Sequence, residues 1–205
     1  DVYGSSFNAP VTVTLYGENQ SSRPSLVIMS GEGLQSMYPR VGYKSGFIGT
    51  GKIGMAFIEI CRGLGMNVIA YDPYPSQGYL EYVPLEELFA RSDVISLHCP
   101  LTSETYHIIN NYSLKMMKDK VYILNTSRGA LIDSEALIEG IKSGKVGGAG
   151  LDVYEEETSL FFEDRSEEII HDDTLSTLIA MPNVLVTSHQ AFLTEEALYN
   201  IAETT

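Results

Sequence analysis

The sequence predicts an α/β fold of the Rossmann type, a doubly wound parallel sheet, and three observations predict it. From Val41 onward, short apolar runs alternate with amphipathic stretches, the pattern of a parallel sheet covered by helices on both faces. In the first of these units Gly49, Gly51 and Gly54 stand in G-x-G-x-x-G spacing, after a short apolar run and before an apolar-periodic one. The next apolar run, Asn67-Val-Ile-Ala-Tyr71, ends at Asp72, where dinucleotide-binding βαβ units carry an acidic residue.

In chain order, residues 1–40 form a segment left unassigned. They contain two strand-like runs, Pro10-Val-Thr-Val-Thr-Leu-Tyr16 and Ser25-Leu-Val-Ile-Met-Ser30, separated by polar, proline-containing residues 17–24, and nothing there points to chemistry. Residues 41–205 make up the nucleotide-binding domain. Strands are expected at 45–48, 67–71, 93–97, 121–125, 147–152 and 184–187, and helices at 52–65, 84–91, 103–117, 134–143, 173–181 and 194–203. Ser134 can cap the helix that follows it, and Thr194 before Glu195 and Glu196 puts negative charge on a first turn. The acidic stretch Glu163-Asp-Arg-Ser-Glu-Glu168, extended by Asp172 and Asp173, reads as solvated surface.

A chain of 205 residues, 44% hydrophobic and 20% charged, is ample for a sizeable core. Its net charge of −14 and pI near 4.6 argue against nucleic acid or an anionic membrane as partner, because no basic stretch offsets phosphate repulsion. A small molecule or another protein is the expected partner. Cys61 and Cys99 fall in apolar patterns and read as buried free thiols, which suits a reducing cytoplasm. No run has the length of a membrane span, no charged-then-apolar leader opens the chain at Asp1, and no metal is assigned.

In the glycine motif, the first glycine permits a tight turn, the second lets backbone approach a pyrophosphate, and the third lets helix and strand pack closely. The phosphates are expected on the helix N-terminus, where unpaired N–H groups and the helix dipole favour negative charge. Asp72 can accept hydrogen bonds from a ribose and repel a 2′-phosphate, which favours NAD over NADP.

Strand ends carry the remaining candidates, which is where an open α/β sheet presents ligands. Arg128 follows the apolar run Val121-Tyr-Ile-Leu-Asn125 and can fork two hydrogen bonds onto a carboxylate. The run Gly150-Leu-Asp-Val-Tyr-Glu-Glu-Glu157 ends another strand in carboxylates. His189 ends the run Val184-Leu-Val-Thr-Ser, and histidine has the unperturbed pKa best suited to proton transfer near neutrality. His98, His107 and His171 read as structural. A strand-end arginine, a strand-end histidine and a carboxylate to hold that histidine make the set needed for hydride transfer to a 2-keto acid. The nicotinamide supplies the hydride, arginine polarises the carbonyl, and histidine delivers the proton.

The segments Gly49-Thr-Gly-Lys-Ile-Gly54, Asp72-Pro-Tyr-Pro75, Ser92-Asp-Val-Ile-Ser-Leu-His-Cys-Pro-Leu101, Asn125-Thr-Ser-Arg-Gly-Ala-Leu-Ile-Asp133, Leu151-Asp-Val-Tyr-Glu155 and His189-Gln-Ala-Phe-Leu-Thr194 resemble the D-isomer-specific 2-hydroxyacid dehydrogenases. Within that family they most resemble the bacterial fermentative D-lactate dehydrogenases. The resemblance covers roughly residues 41–205. It implies that Gly49, Thr50, Gly51, Lys52, Ile53, Gly54 and Asp72 hold NAD, with Asp152 near the nicotinamide. It further implies that Arg128 binds the substrate carboxylate, that Glu157 pairs with the acid/base His189, and that Phe192 lines the substrate pocket. The implied substrates are small 2-keto and 2-hydroxy acids, and the full-length relatives are implied to be homo-oligomers.

Residues 1–40 do not resemble the family's substrate domain, so that domain is expected to be largely missing and one wall of the active site with it. Residues 76–83 are also shorter than the family's usual link. Catalysis needs a dry, closed cleft, so the chain alone is expected to bind NAD weakly and to turn pyruvate over poorly or not at all. Reduction of hydroxypyruvate, a corepressor-like binding role and a non-catalytic fragment are the competing expectations.

Overall fold

The computed structural model describes residues 12–16, 25–29, 42–76, 78–156, 172–190 and 195–204. In the N-terminal segment, strands β1 (Thr12–Tyr16) and β2 (Ser25–Met29) pair antiparallel as a separate two-stranded sheet, with Thr12 opposite Met29. The elements that follow are β3 (Lys44–Ile48), α1 (Lys52–Gly63), β4 (Asn67–Tyr71), β5 (Glu81–Tyr82), α2 (Leu85–Arg91), β6 (Val94–Leu97), α3 (Asn111–Met116), β7 (Val121–Asn125), a single 3-10 turn (Gly129–Leu131), α4 (Ser134–Lys142), β8 (Val146–Leu151), α5 (Asp173–Ala180), β9 (Val184–Val186) and α6 (Glu195–Thr204).

Strands β3 to β9 form one parallel sheet in the order β5-β4-β3-β6-β7-β8-β9, the Rossmann-type α/β arrangement. The order reverses between β3 and β6, which opens a crevice at their carboxyl ends. Alternation along β3 serves both faces of the sheet. Phe47 packs with Ile58 and Cys61 of α1, while Ile48 joins Leu88, Phe89, Ile95 and Leu97 in a second cluster. Each fully buried side chain of this size contributes about 1.5–3 kcal/mol. Helix α1 buries Gly54, Ile58 and Cys61, spaced as one helical face, and stops at Gly65, whose φ of +77° and N–H to Arg62 O close its last turn.

The predicted elements are present within about two residues at most ends, with four departures. The helix expected over 103–117 occupies only Asn111–Met116. Before it, Thr105 Oγ1 donates to Pro100 O and accepts from Thr102 N, which holds the chain in turns, and Asn110 then caps the helix in a reciprocal pair with Ser113. Helix α4 is capped by Asp133 rather than Ser134, because the Asp133 carboxylate reaches Ala136 N at 3.0 Å. Asp172 is not merely solvated: it caps α5 through Leu175 N and accepts from Tyr154 Oη. Strand β5 was not expected, being too short for any periodicity to register. The acidic stretch 163–168, His171 and Thr194 lie outside the described residues. Among the described residues, no helix is long and apolar enough to cross a membrane.

Candidate functional site

The glycine motif occupies the turn from β3 into α1. Gly49 has φ +97°, and a Cβ there would sit 2.7 Å from His98 and Cys99 backbone atoms just past β6. A Cβ on Gly54 would sit 2.4 Å from Gly49 O, so the helix can press against the strand end only with glycine. A Cβ on Gly51, by contrast, would meet nothing within 4 Å. Gly51 begins α1 with no side-chain cap and no acidic residue in the first turn, which leaves its end amides open to an anion. Lys52 and Ile53 are exposed on that turn, Ile53 by 75%. This open, uncapped cradle fits a dinucleotide pyrophosphate.

Asp72 lies beside it, half-buried. Its Oδ2 accepts from Thr50 N and Thr50 Oγ1, each at 2.8 Å, and its Oδ1 accepts from Tyr74 N at 2.9 Å. Burial pushes the carboxyl up, but these hydrogen bonds outweigh it and leave its pKa below the usual value. Beneath the cradle, His98 stacks on Phe47 and its Nε2 lies 2.8 Å from Ser96 Oγ. Burial lowers its pKa to about 4, so the ring is neutral near pH 7. Burial likewise raises the free thiols of Cys61 and Cys99 to about 12 and about 11, which leaves both protonated and inert. His107 stacks on Tyr106 and meets Glu155 at 2.5 Å.

The second part of the site lies where β7, β8 and β9 end. Asn125, fully buried, closes β7: its Nδ2 donates to Arg128 O at 2.9 Å and its Oδ1 accepts from Ser127 N at 3.0 Å. Ser127 Oγ donates to Cys99 O at 2.7 Å, tying this loop to the one after β6. Arg128 is exposed, with Nη1 bonded to Ser127 O. The next residue, Gly129, is pressed against the loop after β8, since a Cβ there would sit 2.0 Å from Tyr154 C and O.

Asp152 is 2% exposed. Its amide donates to Asn125 O, its Oδ1 accepts from Thr187 Oγ1 and Gln190 N, and its carbonyl accepts from His189 N at 2.7 Å. His189 is half-buried with φ +53°. Because β7 and β9 both pair with β8, Arg128 and His189 end strands two inter-strand spacings apart, about 10 Å. Glu157 and Phe192 lie outside the described residues. The fastening of these loops by Asn125, Ser127 and Thr187 was missed in the sequence. Its one signal there is a polar residue closing or following an apolar strand. Among the described residues, no group of three His, Cys, Asp or Glu side chains could hold a metal ion.

Residues 32–191 match the family described as D-isomer specific 2-hydroxyacid dehydrogenase, NAD binding domain. The D-lactate dehydrogenase of Escherichia coli strain K12 is 55% identical over 178 residues, which cover 85% of this chain and 54% of that protein. The solved Salmonella D-lactate dehydrogenase superposes with a TM-score of 0.73 at 55% identity, covering 85% of this chain and 54% of that one. A D-lactate dehydrogenase with NAD+ from Lactobacillus jensenii gives a TM-score of 0.73 at 35% identity, covering 78% of this chain and 49% of that one. The chain spans about half the length of the curated relatives it matches.

Proposed function

The chain belongs to the D-isomer specific 2-hydroxyacid dehydrogenases through their NAD-binding domain, and on that premise we propose that it serves the interconversion of a 2-keto acid and a D-2-hydroxy acid, with pyruvate and D-lactate as the pair. NAD is the cofactor, and when bound its nicotinamide supplies the hydride. The remaining work falls to side chains at the carboxyl edge of the sheet. Arg128 forks onto the substrate carboxylate and draws charge toward the carbonyl oxygen. His189, as imidazolium, gives its proton to that oxygen, and in the reverse direction its neutral ring takes the proton back. Glu157 pairs with His189 and orients its ring, and Phe192 lines the pocket. Asp152 keeps the His189 backbone in register beside the nicotinamide.

The observation that carries this reading is the fastening of the strand-end loops to one another. Gly129 holds the Arg128 loop against the loop of Tyr154 and Glu155, and Asp152 holds the His189 loop to the same strand end. Near-attack geometry requires such fixed spacing between the carboxylate clamp and the proton donor. The choice of pyruvate is supported by the D-lactate dehydrogenases named above. The acidic composition and the two free thiols suit a cytoplasmic protein, and homo-oligomers are the expectation for the full-length relatives.

The test is fluorescence titration of NADH and NADPH, followed by NADH oxidation with pyruvate, hydroxypyruvate and 2-ketoisocaproate. Tighter binding of NADH and fastest oxidation with pyruvate are expected, at a rate below that of a closed cleft. Absence of NADH binding, or a different best substrate, overturns the respective part of the reading.

A further inference from the structure

Around Asp72 the hydrogen bonds run in one direction. Tyr82 Oη donates to Thr50 Oγ1 at 3.1 Å, and Thr50 Oγ1 donates to Asp72 Oδ2 at 2.8 Å. Ser76 supports the start of this chain, its Oγ lying 3.0 Å from Tyr82 Oη. The two-residue strand β5 delivers the tyrosine: Tyr82 pairs with Ala70 of β4, and Val83 N donates to Ala70 O at 2.9 Å. The edge strand thus sets one hydroxyl over the glycine turn, and a donor relay of this kind is polarised toward its anionic end.

A carboxylate offers about four acceptor directions, and three are taken by Thr50 N, Thr50 Oγ1 and Tyr74 N. The direction left is on Oδ1. A carboxylate so held presents one acceptor to a ribose hydroxyl and cannot swing away from a 2′-phosphate. We propose that Tyr82, acting through the Thr50 hydroxyl, is the positioning residue that fixes Asp72 for a single ribose hydroxyl and thereby sets the preference for NAD over NADP. The inference rests on the assignment of this edge as the NAD site.

The discriminating quantity is the ratio of NADPH to NADH dissociation constants, because both cofactors share the glycine cradle while a fixed Asp72 favours NADH and opposes the 2′-phosphate of NADPH. It is measured by fluorescence titration of the full chain. For Tyr82→Phe, NADH binding is expected to weaken about threefold to tenfold, the size of a lost neutral hydrogen bond, while NADPH binding is unchanged or tighter, because the freed carboxylate can turn from the 2′-phosphate. Thr50→Val should reproduce that shift and Thr50→Ser should restore the parental ratio, so the relay is tested through a second residue if Tyr82→Phe folds poorly. In an Asp72→Ala background, Tyr82→Phe should no longer change the ratio. Equal weakening of both cofactors, or an unchanged ratio in both Tyr82→Phe and Thr50→Val, overturns the proposal while leaving NAD binding intact. A parental chain that binds neither cofactor overturns the site assignment and the proposal together.

Discussion

The backbone N–H of His189 donates to the carbonyl oxygen of Asp152 at 2.7 Å, and the Asp152 carboxylate grips Thr187 Oγ1 and Gln190 N on either side of it. A histidine at φ +53° carries strain of about 1–3 kcal/mol. That strain persists only where neighbours over-determine the backbone. Asp152 is therefore the clamp that keeps the strand-end histidine in place.

Asp152→Ala removes the acceptor of two donors at once. Loss of about 1–3 kcal/mol in urea unfolding is expected, the cost of leaving buried donors unpaired. Hydrogen exchange at the His189 and Gln190 amides should speed up, with β3 amides unaffected. Unchanged exchange at those two amides would remove Asp152 from this role.

Gly49 and Gly51 separate folding from binding. At Gly49, a side chain would meet three backbone atoms at 2.7 Å with φ at +97°, so Gly49→Ala should cost more than about 2 kcal/mol from left-handed strain and overpacking together. At Gly51 the same methyl enters open space, so stability should fall by less than about 1 kcal/mol. NADH affinity, however, should drop sharply if that space is the seat of the pyrophosphate, as proposed. Calorimetry and NADH titration of both variants check the contrast; a stable Gly51→Ala chain with parental NADH affinity contradicts it.

The alternation of apolar runs and helices was legible because both faces of the sheet must be covered, which writes itself into every strand and helix. The turn and packing roles of Gly49 and Gly54 were legible for a similar reason, since a Cβ at either would meet backbone atoms at 2.7 Å or less. The helix predicted over 103–117 was not, since Thr102, Thr105 and Asn110 use side-chain bonds to the backbone that periodicity does not register. Tyr82 could not be singled out either. Its meaning depends on a parallel pairing with Ala70 that only the folded sheet creates. Arg128 and His189 were legible as strand ends, while their mutual fastening through Asn125, Gly129 and Asp152 is a property of the assembled edge.

His98 predicts a pH dependence. Burial depresses its folded pKa from 6.5 to about 4, so between those values the unfolded chain binds the proton and the folded chain does not. Its contribution is fully present above about pH 6.5, declines as the pH falls, and is lost through about pH 4, a change on the order of 3 kcal/mol. His98→Gln should flatten the slope of unfolding free energy over that window by a comparable amount. A slope identical to the parent's would show that the ring is protonated in the folded state.

Gly129→Ala tests whether the fastening of the strand-end loops matters for the proposed chemistry. The added methyl would lie 2.0 Å from Tyr154 C and O and 2.4 Å from Glu155 N, all backbone atoms that cannot rotate aside. The loops after β7 and β8 must separate, at about 1–3 kcal/mol of overpacking. Arg128 then shifts relative to His189, and a misplacement near 1 Å can cost about 100-fold in rate. The cradle at Gly49 to Gly54 lies at β3 and β6, away from the clash itself, so NADH affinity should fall far less than turnover. Turnover with pyruvate and NADH dissociation constants, measured side by side on folded protein, distinguish the cases. If affinity and turnover fall together, the substitution has disturbed the whole sheet edge rather than the spacing of the two strand-end groups.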